Sequence, residues 1–195
     1  KRHYITEIQG SAVTAEVALA KIMKLRQITG GFAITEESKA VNVGNKNPKL
    51  QELEDVLEEI GKQQVIIWAV FQHEIRAIQE LLGDKAIDLY GNTKDKDGNI
   101  LAFKRGQAQY LIAHPRSAGH GLTFVNSSVE IFFSLDYSWE TYEQARGRIH
   151  RPGQKNPCTY IHILAKETID VEILAILQKK KHATDLVYEY IHGGK

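Results

Sequence analysis

Cysteine is almost missing from this chain of 195 residues. Cys158 stands alone, which excludes a disulfide framework and fits a reducing, cytoplasmic compartment. No apolar run approaches the roughly 20 residues that a membrane helix needs, and no secretory signal pattern opens the sequence. Charge of one sign is also lacking. The net charge is +1, so any anion must be bound by a local patch rather than by the overall field. His114, His120, His150 and His162 are not at metal-ligand spacing, which with one cysteine argues against a zinc site. There is no G-x-x-x-x-G-K-[ST] loop to cradle a triphosphate, and no Asp-Glu pair after a strand to hold magnesium. Internal repeats and low-complexity tracts are absent too. The chain opens on Lys1 rather than an initiator methionine, which predicts a segment of something longer.

What is present is a core. Apolar residues make up 43% of the chain, enough for a real core, and the length suits one domain or a domain plus an extension. A first helix follows Thr14, with Val17, Ile22, Leu25 and Ile28 at helical spacing, and ends at Gly30-Gly31. Residues 35–47 are polar and read as a loop. A second helix has Asn47 as its cap, Pro48 at its first position, a stripe of Leu50, Leu53, Val56, Leu57 and Ile60, and Gly61 at its end.

The period then changes. "QVIIWAV", "AIDLY", "AQYLIAH", "VEIFFSL" and "CTYIHIL" are short apolar runs of the kind found in strands covered on both faces. Helical patterns lie between them: Ile75, Ile78, Leu81 and Leu82; Ile100 and Phe103, weakened by Gly98; and a helix capped by Ser138 from Trp139 to about His150. Thr168 caps a last helix with Ile169, Ile173, Ile176 and Leu177 on its apolar face. Alternating strands and helices predict an α/β fold with a mostly parallel sheet and right-handed crossovers. Ligands then gather at the carboxyl ends of the strands, in the loops after residues 70, 90, 113 and 134.

The most informative stretch is "YEQARGRIHRPGQ", residues 142–154, in which no carboxylate stands among or just after the arginines. On a continuing helix, Gln144, Arg148 and Arg151 fall within about 60° of one another, while Tyr142, Ala145 and Ile149 form a second face that can pack on the sheet. Two guanidiniums presented outward near the stop at Pro152 suit a phosphoryl group. The same spacing equally suits a solvated basic face, or arginines paired with distant carboxylates. "HPRSAGHGLTF", residues 114–124, offers a compact turn with Ser117, Gly119 and Gly121 where backbone amides can approach an oxyanion, or a plain strand–helix connection. "LYGNTK", residues 89–94, places Thr93 and Lys94 after Gly91, either for a phosphate or as a capped helix start. Cys158 lies inside a strand pattern and reads as core. Trp68 and Trp139 read as packing residues, and "KKK" at 179–181 as a solvated helix face.

Taken in order, these segments resemble the second RecA-like lobe of SWI/SNF-type superfamily-two helicases and ATPases. "QVIIWAVFQHEI" resembles the family's fourth motif, "LYGNTK" the segment after it, "SAGHGLTF" running to "FFSLDYSW" the fifth, and "QARGRIHRPGQ" the sixth. "LRQITGG" and "TIDVEILAILQKK" are similar to its flanking helices, and the histidine of "SAGHGL" resembles compact bacterial and phage members. Three positions depart from the family: Thr123 replaces an asparagine, "KDKDG" holds no arginine past "GNT", and "YSWETYEQ" lacks a proline.

The resemblance implies a RecA-like lobe at residues 62–168, an N-terminal helical extension at 1–61, and a C-terminal helix packing on the lobe at 169–195. It implies half of a nucleic-acid-stimulated ATPase motor, a translocase on DNA, double-stranded by preference. ATP and magnesium would be held mainly by an N-terminal lobe of the same protein. Arg148 and Arg151 would serve as arginine fingers with Gln144 ordering the site. Gly119 and Gly121 would line the nucleotide side, and Gln72, Thr93 and Ser117 would touch nucleic-acid phosphates. The fragment alone would be inactive, and its setting a bacterial or phage-infected cytoplasm. A rival reading is a solitary module that grips nucleic acid or a partner without turning over ATP. A motor subunit of a restriction or repair assembly differs from the first reading only in its partners.

Overall fold

A computed structural model describes the backbone of residues 5–8, 11–117 and 121–192, with side chains between residues 20 and 180 of that span. Five parallel strands form the central sheet: β5 (Val65–Trp68), β6 (Ala86–Leu89), β7 (Tyr110–Ala113), β8 (Val129–Phe132) and β9 (Thr159–His162), in the order β6-β7-β5-β8-β9. Before it come β1 (Ile5–Ile8), β2 (Ser11–Thr14), α1 (Ala15–Thr29), β3 (Phe32–Ile34), β4 (Ala40–Asn42) and α2 (Pro48–Ile60). Between and after its strands run α3 (Gln72–Leu82), α4 (Lys96–Lys104), α5 (Trp139–Arg146) and α6 (Ile169–His192).

The continuous apolar runs become the three central strands, buried along their whole length, while the edge strands β6 and β9 are partly open. Successive side chains point to opposite faces. Val65, Ile67, Ile112 and Ile131 face α2 and α3 through Leu53, Leu57, Ile75 and Ile78. Ile66, Trp68, Leu111 and Phe132 face Phe103, Phe124, Ala145, Ile149, Ile173 and Leu177. Two dry layers thus sandwich one sheet, the arrangement of a RecA-like α/β fold.

The helix ends follow their sequence signals. The Asn47 side chain accepts from Lys49 N at 3.0 Å, and Gly61 closes α2 at φ 73°. Ser138 caps α5 by accepting from Thr141 N at 3.1 Å, and Asp95 caps α4 through Gly98 N at 2.8 Å.

The N-terminal segment departs from expectation in two ways. β1–β2 and β3–β4 are antiparallel hairpins, so residues 1–61 are not helical alone and the polar stretch 35–47 contains a strand. A turn makes the second hairpin possible: Thr35 N donates to Lys39 O at 2.9 Å, with Ser38 at φ 61° between them. In α1 the stripe at Leu25 and Ile28 is exposed, at 41% and 49%, whereas Arg26 and Gln27 are buried; Val17 lies outside the described side chains. The helix docks through polar chemistry. Arg26 Nη2 donates to Leu135 O at 2.6 Å, and its guanidinium lies 5.1 Å from the Phe71 ring and 5.0 Å from the Tyr137 ring. A Cβ on Gly30 would stand 2.5 Å from Glu74 Oε1, so a side chain there would push α1 off the lobe.

In α6, Ile173 and Leu177 are buried but Ile176 is 42% exposed. Asp170, at its start, bonds Lys49 Nζ at 3.0 Å and Thr29 Oγ1 at 2.9 Å, tying α6 to α2 and α1. Among the described residues no helix is long and apolar enough to cross a membrane.

Candidate nucleotide-facing arginine turn and nucleic-acid edge

The expected site residues separate into two groups. Gln72, Thr93 and Ser117 sit at the carboxyl edge of the sheet, in the segments that follow β5, β6 and β7. Gln72 Oε1 accepts from Asn92 Nδ2 at 3.1 Å, which joins the start of α3 to the turn after β6. The Thr93 hydroxyl donates to Asp88 Oδ1 and accepts from Tyr90 N at 2.9 Å, so it builds its own turn first. Ser117 is half-buried, its amide bonded to His114 O at 2.9 Å. Arg116, which sequence reasoning missed, stands beside it: 65% exposed and 2.8 Å from Asp136.

The second group lies at the far end of α5. The helix stops at Arg146, four residues short of the expected end, with Gly147 as its cap at φ −71°, ψ 4°. Glycine is a weak helix former, and a residue before proline, as Arg151 is before Pro152, is pushed out of the helical region. Arg148 and Arg151 are therefore carried by an irregular turn and not by one helical face. Gln154 pins that turn, donating through Nε2 to Ser127 O at 2.7 Å, Ile149 O at 3.3 Å and Val125 O at 3.4 Å. Since Ser127 precedes β8 and itself donates to Gln64 O before β5, the turn lies toward the amino edge of the sheet.

The two arginines differ. Arg151 is exposed, its Nε bonded to Gly147 O at 2.7 Å. Arg148 is 4% exposed, its Nη1 donating to Leu122 O at 3.2 Å and its Nε buried without a hydrogen-bond partner. Both guanidiniums were expected to point outward; Arg148 instead lies inside, because the turn folds its backbone onto the strand-joining segment, where Phe124 N donates to Arg148 O at 2.9 Å. Burial first, and the like charge of Arg151 second, push the Arg148 pKa below the ordinary guanidinium value, while Glu130 pulls it up. No carboxylate of the described residues lies within ion-pair distance of either guanidinium.

Gln144 remains on α5 and donates to Glu140 Oε1 at 3.1 Å, one turn back from the arginines. Gly121 is exposed at φ 94°, a left-handed conformation that favours glycine. Gly119 lies outside the described residues.

Beneath α5 sits a polar cluster that sequence reasoning did not find. Arg146 pairs with Glu143 at 2.6 Å and lies 4.6 Å from the Tyr160 ring centre. His162 stacks on Phe132 at 5.1 Å and meets the Tyr142 hydroxyl at 2.9 Å; burial first and Arg146 second push its pKa down to about 4. Glu130 is fully buried on β8, and its pKa is pushed up to about 8 by burial, against the opposing pull of Trp68, Arg146 and Arg148. The Trp68 indole N–H approaches the Glu130 carboxyl too loosely to satisfy it, since Trp68 Nε1 and both carboxylate oxygens lack hydrogen-bond partners. The one sequence signal was a glutamate inside an otherwise apolar run.

Residues 48–153 match the helicase conserved C-terminal domain family, which is more than half of the chain. The chain belongs to that family. This C-terminal helicase lobe is 31% identical over 70% of its length to the DNA repair and recombination protein RDH54 of Saccharomyces cerevisiae, of which it spans 15%. It is 26% identical over 97% of its length to protein p41 of Acyrthosiphon pisum secondary endosymbiont phage 1, spanning 41% of it. It is 24% identical over 93% of its length to a SWI/SNF-related matrix-associated regulator of chromatin homologue of Caenorhabditis elegans, spanning 19% of it. The helicase lobe thus spans less than half the length of these relatives. In fold it is similar to the crystal structure of the C-terminal part of the Fun30 ATPase domain, with a TM-score of 0.60 and 18% identity over 79% of this chain and 58% of that one. The resemblance to the C-terminal lobe of SWI/SNF-type helicases stands, as does the RecA-like α/β architecture.

Proposed function

We propose that this chain is the second lobe of a DNA-stimulated ATPase motor, and that its arginine turn completes an active site whose triphosphate loop lies on a separate N-terminal lobe. The observation that carries this reading is the pair Arg148 and Arg151. Two guanidiniums three residues apart press like charge on one another, without a carboxylate ion pair among the described residues. Placing positive charges together costs free energy unless an anion joins them. A phosphoryl group supplies that anion, and the guanidinium fork matches its oxygens.

The residues present fit ATP on one side only. Arg151 offers exposed donors, and Arg148 has donor capacity that its bond to Leu122 O leaves unused. The other lobe would hold ATP with magnesium, which when bound would supply neutralisation of phosphate charge. In this lobe Gln154 fixes the turn, Ile149 anchors it in the core, and Arg148 and Arg151 meet the charge that develops as the γ-phosphoryl group transfers. Gln144 orders the approach from α5, and Gly119 and Gly121 let the backbone come near the nucleotide.

Gln72, Thr93 and Ser117, at the other edge, contact phosphates of the nucleic acid. Separate edges for ATP and nucleic acid allow closure of the cleft on one to shift the grip on the other. Residues 62–168 form the motor lobe, with the flanking segments fastened to it. The setting is a bacterial or phage-infected cytoplasm.

The test is turnover in the full-length protein. Arg148→Ala and Arg151→Ala should each lower DNA-stimulated kcat by about 10³ or more, with ATP binding kept within a few fold. Unchanged turnover in both variants would remove the assignment and favour a module that binds without hydrolysis.

A further inference from the structure

A groove with a volume of about 530 Å³ runs between α3 and the segment that links β4 to α2. One wall carries Asn42, Asn45 and Lys46, and the other carries His73, Arg76 and Glu80. Three bases thus line it against one acid. Lys46 and Arg76 are exposed, and among the described residues neither has an ion pair or a hydrogen bond. Glu80 follows Arg76 at the i,i+4 spacing that favours a helical pair, yet it lies outside ion-pair distance of that guanidinium.

Both walls are fastened. His73 Nε2 lies 3.0 Å from Asn42 Oδ1, and its ring stands 4.7 Å from the Phe32 ring, which joins α3 to the second hairpin. Across the groove, Val43 N donates to Gly31 O at 2.9 Å and Asn47 Nδ2 donates to Gly30 O at 2.9 Å. Between those anchors the chain turns at Gly44, with φ 79°. The peptide N–H groups of Gly44, Asn45 and Lys46 have no hydrogen-bond partner among the described residues. Fixed donors without acceptors, beside unpaired cations, suit an anion. The groove also continues the carboxyl edge of the sheet. Gln72 and Arg76 are one turn apart on α3, about 40° around its axis and about 6 Å along it. Each strand of a duplex presents a phosphate about every 3.4 Å of its axis, so both side chains can follow one backbone.

We propose that this groove is a second DNA-backbone site, in which Arg76 and Lys46 bind phosphates of the duplex beyond those that Gln72 reaches. This rests on the reading of the carboxyl edge as the nucleic-acid edge. The Arg76 guanidinium takes phosphate oxygens in a fork, Lys46 acts as a point charge, and the free amides add neutral donors. Glu80 sets the far limit of the path, since a phosphate brought against it meets like charge.

The test is equilibrium binding of a labelled DNA duplex to the full-length protein, from about 50 mM to about 200 mM chloride salt. Arg76→Gln and Lys46→Gln should each weaken binding on the order of tenfold at the low-salt end and lower the slope of log K against log salt by about 1. Glu80→Gln should tighten binding. All three side chains are exposed, so none of these changes opens the core. Gln72→Ala reports on the edge itself: it removes a neutral contact, so affinity falls with the slope unchanged. If Gln72→Ala weakens binding but Arg76→Gln and Lys46→Gln keep the parent's affinity and slope, the groove is overturned and the edge assignment survives. Weakening by Glu80→Gln equal to that by Arg76→Gln also overturns it, since the sign of the charge then does not matter. If inorganic phosphate at matched ionic strength makes the parent and Arg76→Gln alike, the groove holds a free anion and the DNA path is overturned. If the parent binds duplex without salt dependence, both readings fall.

Discussion

Replacing Asp170 with alanine tests how the two ends of the chain are fastened to the lobe. The Asp170 carboxylate lies 3.0 Å from Lys49 Nζ, with the two side chains only 10% and 6% exposed. It also accepts from Thr29 Oγ1 at 2.9 Å and Ala165 N at 3.2 Å. Its loss leaves a buried ammonium without its hydrogen-bonded anion, with the Phe133 ring at 5.0 Å. Removing one partner of a buried pair costs about 3–5 kcal/mol, because the other charge is left unpaired. For a domain of this size 1 kcal/mol moves Tm by roughly 2–4 °C, so the fall should be on the order of 6–20 °C. Thermal unfolding followed by circular dichroism reads it directly. Lys49→Met should cost less, since the carboxylate keeps its two neutral donors, and the double variant Lys49→Met with Asp170→Leu should recover much of the loss. An Asp170→Ala protein within about 1 kcal/mol of the parent would refute the claim that this pair fastens α6 and α2 to the lobe.

Glu130 makes a further stability prediction. Its folded pKa is raised from 4.5 to about 8, so its contribution is complete below about pH 4.5 and is lost as pH rises toward 8. Relative to the parent, Glu130→Gln should gain on the order of 4–5 kcal/mol across that window in denaturant titrations; equal slopes would contradict it. Gln154→Ala removes three carbonyl contacts from the arginine turn. It should cost about 1–3 kcal/mol and speed amide exchange around Ile149 more than in β5; uniform exchange would count against a local pin. DNA affinity of the full-length protein should fall steeply with added salt, as phosphate contacts require; a flat salt dependence would argue against the carboxyl-edge assignment.

Much of this architecture was legible because it is local. Asn47, Pro48 and Gly61 bound α2, and the apolar runs became the sheet, since their burial on both faces leaves no room for alternation. Where the reading failed, tertiary partners overrode the local pattern. Leu25 and Ile28 form a respectable stripe, yet α1 turns Arg26 inward because Leu135 O, Phe71 and Tyr137 make a socket for it. At the site, the arginines were found by spacing, but their presentation was not. Gly147 ends the helix before either of them, so the face argument lapses where it matters. Glu130 was concealed by its own strand, as one charge in an apolar run carries no mark of what lies above it.

The most direct measurement is the affinity of the full-length protein for a mimic of the transferring γ-phosphoryl group, relative to its affinity for ATP. An arginine that acts on developing charge should hold the mimic more tightly than the ground state. Arg148→Ala and Arg151→Ala should therefore erase that preference while leaving ATP binding nearly intact. If both variants keep the preference, the positive charge on this turn is not directed at the nucleotide and the account fails.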